Sequence, residues 1–197
     1  MVTRRLFAAA LLALCGAWAS AADMVGVSGS DVQYPTALQA KVGDKDVKLV
    51  LTGTALRSKF VFSVYTIGSY LQEGVKARSG EELALVDSPK QLHLVMERDV
   101  DGKDMADAFH SAIRLNHRAP AFDKELGSLM DYMKMHPVKK GDHIHLMYLP
   151  GTGLHCNIVG KGEVKINNPA FGKAVWEIYL GKNNLGDSIK KGLTSRL

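Results

Sequence analysis

The chain predicts an α+β fold: an antiparallel sheet covered on one face by helices. Three observations carry this. Strand-like runs come first, around residues 32–72 and 91–98. A pair of amphipathic segments follows, with Ala119-Pro120 between them, as in an αα-hairpin. A second strand pair at 143–159 and a terminal helical region then close the chain.

Taken in order, residues 32–41 alternate around Tyr34-Pro35. They suit an edge strand, because proline cannot donate to a ladder. Residues 42–45 (VGDK) form a turn, and Val47, Leu49 and Leu51 begin a second strand. Residues 81–86 are a short mixed piece, broken from the next strand by Ser88-Pro89. Asp101 can cap a helix over about 102–116, with Met105, Phe109, Ala112 and Ile113 at helical spacing. Phe122, Leu126, Leu129, Met130 and Met133 mark its partner, ended by His136-Pro137. HIHLMYL (143–149) and LHCNIV (154–159) pair across the turn at 150–153, and 161–166 can extend that hairpin. Asn168-Pro169 opens a helix with the apolar face Phe171, Ala174, Val175, Ile178 and Tyr179, stopped by Gly181 in the left-handed region. Asp187 caps a last short helix through Leu193.

The densest stretch is residues 51–72, LTGTALRSKFVFSVYTIGSYLQ. Its aliphatic, aromatic and β-branched content predicts a strand, interrupted only by the charges of Arg57 and Lys59. Residues an even number apart share a face of a strand, so Arg57 and Tyr65 project together if no bulge intervenes. Ser63 and Ser69 join them, which leaves this face less oily than the one carrying Phe60, Phe62, Val64 and Tyr70. A guanidinium beside a phenol is a candidate anion- or carbonyl-binding pair. The alternative for Arg57 is a pairing with a surface carboxylate, and for Tyr65 an ordinary half-buried strand position.

With 197 residues, 46% of them hydrophobic and 23% charged, the chain is long enough for one domain with its own core. Residues 1–21 read as a signal peptide. Arg4 and Arg5 form a basic region, an apolar run covers 6–17, and Ala19-Ser20-Ala21 is a small-residue cleavage site. The expected mature domain is 22–197, exported to the periplasm or beyond. Its charge of +3 after loss of Arg4 and Arg5 points away from nucleic acid and allows only weak contact with anionic membrane surfaces. It retains one cysteine, Cys156, expected to be buried and inert. His143-x-His145 with His155 on the neighbouring strand is a conceivable metal set, but the only carboxylate near it is Asp142 in the turn, and no metal is assigned. Phosphate loops, serine elbows and C-x-x-C pairs do not occur, and no cofactor is expected.

Two segments carry a family resemblance. LRSKFVFSVYTIGSYL (56–71) resembles an arginine followed by a lysine- and aromatic-rich strand ending in G-x-Y-L, here Gly68 to Leu71. FGKAVWEIYLG (171–181) resembles a terminal helix running from a Phe to a closing Gly. In order and spacing the chain from about 42 to 193 is similar to the chalcone isomerase-like family. The resemblance implies an open-faced β-sandwich, its antiparallel sheet covered by a helical layer. That family holds enzymes closing chalcones to flavanones and non-catalytic fatty-acid-binding relatives. Arg57 matches the arginine that anchors substrate. Tyr65 matches the hydroxyl residue of the following strand, where the enzymes carry threonine and the fatty-acid binders use tyrosine. The enzymes' helix tyrosine and asparagine fall on Met105 and Ala112, and a polar residue of the terminal helix falls on Ile178. Only Asn116 offers a substitute. The resemblance therefore implies a monomeric binder of a small amphipathic ligand, a fatty acid in the first place, held by Arg57 and Tyr65. The alternatives are an isomerase or intramolecular lyase acting on a phenolic, chalcone-like or enone substrate through the same two residues, and a structural or interaction protein with a closed cleft.

Overall fold

A computed structural model describes residues 23–197. The expected signal peptide lies outside these residues. A short ribbon, β1 (Met24–Gly26) paired with β2 (Gln33–Pro35), precedes a seven-stranded antiparallel sheet. That sheet is a meander in chain order: β3 (Ala37–Val42), β4 (Lys45–Lys59), β5 (Phe62–Gln72), β6 (Lys90–Met96), β7 (His143–Leu149), β8 (Gly153–Ile158) and β9 (Gly162–Ile166). Every neighbouring pair is antiparallel, so tight turns or helical excursions suffice as connections.

Residues 51–72 are not one strand. They are most of a hairpin, turning at Phe60 and Val61 between β4 and β5. The turn holds no Gly, Pro, Asn or Asp. Phe60 itself takes the left-handed backbone conformation, φ 56°, which a bulky residue rarely adopts. The hairpin therefore left no turn signature to read. At its tip Phe60 and Phe62, assigned to the oily face of a strand, are instead 91% and 62% exposed.

The helices are α1 (Gly80–Leu85), α2 (Gly102–Arg114), α3 (Asp123–Met135), α4 (Pro169–Leu180) and α5 (Asp187–Leu193). The caps follow the chain's polar punctuation. Asp101 accepts from the Lys103 N–H, and Asn168 accepts from the Ala170 and Phe171 N–H groups ahead of α4, with Pro169 in its first turn. Two expected ends differ. Gly181 is extended (φ −70°, ψ −177°), and Gly186, at φ 139°, is the residue before α5, with Asp187 already inside the helix. Among the described residues no helix is long and apolar enough to cross a membrane.

The helical layer packs on one face of the sheet around buried Trp176, Phe171, Tyr148 and Leu92. The opposite face carries a second, smaller core, where Tyr34, Val27 and the ribbon cover Leu49, Leu51, Tyr70 and Val95. Close backbone approach docks the chain's end: a Cβ on Gly53 would lie 2.1 Å from the Gly192 carbonyl oxygen, so α5 lies directly on β4.

Candidate functional site

Arg57 and Tyr65 do share a face, for a different reason than strand parity. They sit on adjacent strands and are direct cross-strand partners. The register shifts between Arg57 and Ser58, so Ser58 pairs with Ser63 and Val64 is the extra residue of a bulge. The bulge brings Val64 to the same side as Tyr65, and both line one cavity. This corrects the expected sidedness. The Arg57 face is the main apolar core, with Ile67 and Leu71 buried on it. Ser69 on that face is satisfied by Thr52, whose hydroxyl lies 2.8 Å away.

The cavity lies between the sheet and α2 and α4, with a volume of about 510 Å³, within the range of small-ligand pockets. Leu94 and Met96 of β6, Ile144 of β7, Met105 and Phe109 of α2, and Ile178 of α4 form its apolar walls. The polar end is made by Arg57, Tyr65 and Tyr179. The Tyr65 and Tyr179 hydroxyls lie 3.1 Å apart. Burial pushes both phenols up, Tyr179 well above the usual tyrosine value, while the neighbouring Arg57 charge pulls both back. Both are therefore protonated hydrogen-bond donors at neutral pH and unsuited to act as bases. Among the described residues the Arg57 guanidinium has no hydrogen-bond or ion-pair partner, which sets aside the surface salt bridge. Arg57, Lys59 and Arg98 stand with Asp104 and Asp107 among the cavity's charged lining residues, and Asp107 is paired to Lys103.

Tyr179 was missed in the sequence because it repeats at the spacing of the α4 apolar stripe. Its phenol, one residue beyond Ile178, was the available signal. Met105, Ala112 and Ile178 all line the cavity, so the positions expected to lack polar groups do face it. Asn116 does not replace them. Its amide donates to the Asn183 carbonyl at 2.7 Å and ties α2 to the segment after α4.

Two other candidates fall elsewhere. Cys156 is buried in the main core and its thiol is pushed up to about 12, which leaves it unreactive. His155 is opposite Met147, not His143 or His145, and its imidazole meets Glu163 at 2.7 Å. The residue that does join His143 and His145 is His93 of β6, on the sheet face away from the cavity.

The fold is that of a known group of structures. A fatty-acid binding protein of Arabidopsis thaliana superposes with a TM-score of 0.64 over 87% of this chain and 96% of its own, at 17% sequence identity. No curated protein matches in sequence. The chalcone isomerase-like family model matches residues 27–194, and the chain belongs to that family.

Proposed function

We propose that this protein binds a fatty acid or similar amphipathic carboxylate in the cavity, with the head group on Arg57 and the tail between the sheet and α2. The observation that carries this is the Arg57 guanidinium, unpaired among the described residues, in a mostly apolar cavity whose other charged lining residues are Lys59, Arg98, Asp104 and Asp107. A guanidinium presents a fork of donors matched to a carboxylate. Tyr65 and Tyr179 are hydrogen-bonded to each other, and the hydroxyl that accepts in that pair can add its donor from the same side. A hydrogen bond to a charged group contributes about 1.5–3 kcal/mol, and each buried methylene about 0.8 kcal/mol before ordering costs. The tail thus sets most of the affinity and Arg57 sets the orientation. The Arabidopsis relative of the same fold is a fatty-acid binding protein, which agrees with this reading. Export through the N-terminal leader is part of the same proposal.

A lipid surface is the natural source of such a ligand. Support comes from the hairpin tip, where Phe60, Val61 and Phe62 are exposed next to Lys59 of the cavity wall. Apolar tips beside cations suit an anionic bilayer, which adds about 1 kcal/mol per nearby Lys or Arg.

Titration of the purified protein with a fluorescent fatty acid, and mass spectrometry of extracted lipid, test the reading. One ligand per chain is expected, bound ~10–100-fold more weakly by Arg57→Ala, the loss of a charge-assisted hydrogen bond. No extracted lipid together with equal binding by Arg57→Ala would sink it. Turnover of a chalcone that Arg57→Ala abolishes would instead assign an isomerase.

A further inference from the structure

We propose a metal site on the opposite sheet face, in which His93, His143 and His145 bind one divalent transition-metal ion of the zinc or copper class. His145 stands directly across the ladder from His93, and His143 lies two residues along the same strand, so all three imidazoles project to one side. One ring nitrogen from each lies within 4.8 Å of the others. His93 Nε2 is 2.8 Å from His143 Nδ1, and the His93 and His145 ring centroids are 4.4 Å apart, edge to face. Tetrahedral zinc with Zn–N bonds near 2.0–2.1 Å needs ligand nitrogens about 3.3 Å apart, so the rings turn to bring nitrogens within 4.8 Å of one another to that spacing.

A purely structural account of the cluster is poor. Among the described residues the three histidines have no carboxylate partner, and His93 and His143 meet each other through one hydrogen bond. His93 Nδ1 is buried with no hydrogen-bond partner, an orphaned polar atom in a face that is otherwise satisfied or solvated. A cation held through His93 Nδ1 would give that buried atom a partner. Three imidazole nitrogens without thiolate or hard oxygen ligands suit Zn²⁺, Cu²⁺ or Ni²⁺ over Mg²⁺ or Ca²⁺. The exposed edge at His143 leaves a fourth position for water. The site is independent of the cavity, which lies behind the same strands at Leu94 and Ile144.

The test uses protein purified without a polyhistidine tag and stripped by chelator. Zn²⁺ and, separately, Cu²⁺ are titrated by calorimetry, and the copper form is examined by electron paramagnetic resonance. One ion per chain is expected, with nitrogen hyperfine structure from three imidazoles. His143→Gln and His145→Gln should weaken binding by more than the ~10–100-fold typical of losing an outer-shell partner. His155→Gln, beyond the cluster, should leave it unchanged. His93→Gln is checked by its melting temperature in the ion-free state. If that variant is unfolded, the exposed His143→Gln decides the matter alone. Absence of stoichiometric binding, or binding that survives His143→Gln and His145→Gln together, overturns the proposal.

Discussion

Lys90 shows how a single buried charge can hold two elements together. It is fully buried, and its ammonium donates to the carbonyls of Leu83 (3.0 Å), Ala84 (2.6 Å) and Val86 (2.9 Å) at the end of α1. The Tyr148 and Trp176 rings stand 4.8 and 5.4 Å from it. Nothing in the strand-like run at 91–98, which Lys90 precedes by one residue, announced this role, because the acceptors are backbone oxygens from another segment. Lys90→Met strands those carbonyls, at about 1–3 kcal/mol for a buried group left unsatisfied, and urea denaturation should show the loss. Burial lowers the lysine pKa from 10.5 to about 7, with nearby Lys173 adding to the effect. The unfolded chain then holds a proton that the folded one has released between about pH 7 and 10.5, so this group makes stability rise with pH across that window. The slope should vanish in Lys90→Met; an unchanged slope would assign it to other groups. Tyr65 makes a second test. Tyr65→Phe keeps the ring in the core but removes a donor to the carboxylate and the partner of the Tyr179 hydroxyl, so fatty-acid affinity should fall about 10- to 100-fold and stability by about 1–3 kcal/mol.

At the scale of elements, the β4–β5 hairpin does the most. Its bulge at Val64 aligns Arg57 with Tyr65 and sends both toward the cavity. Its tip contributes little to folding, since Phe60 and Val61 are 91% and 87% exposed. Phe60→Ser combined with Phe62→Ser should therefore change stability by no more than about 0.5 kcal/mol. The same pair should sharply reduce co-sedimentation with vesicles containing anionic phospholipid. Retained co-sedimentation would remove the tip from any membrane role. The helical elements were the most legible part of the chain. Asp101, Asn168 and Pro169 act locally through neighbouring N–H groups, so their capping roles depend on spacing alone. The αα-hairpin of α2 and α3 is likewise a local pattern of apolar repeats.

At the scale of the molecule, one sheet separates two kinds of chemistry. The helical face encloses a mostly apolar cavity lined also by Arg57, Lys59, Arg98, Asp104 and Asp107, and the ribbon face gathers three histidines beside a small second core. The main strands, the αα-hairpin, the starts of α2 and α4 and the burial of Cys156 were present in the linear pattern, because each rests on residue type and short-range spacing, whereas α1 and the β1–β2 ribbon carried no such signal. The tertiary structure alone decided which residues meet across strands. It placed Tyr179 against Tyr65 and exchanged His155 for His93. It turned a presumed single strand into a hairpin at a tip without turn residues. Those outcomes depend on register, where one bulge or a one-residue shift reassigns a side chain to the other face, and register is set by packing across the whole sheet.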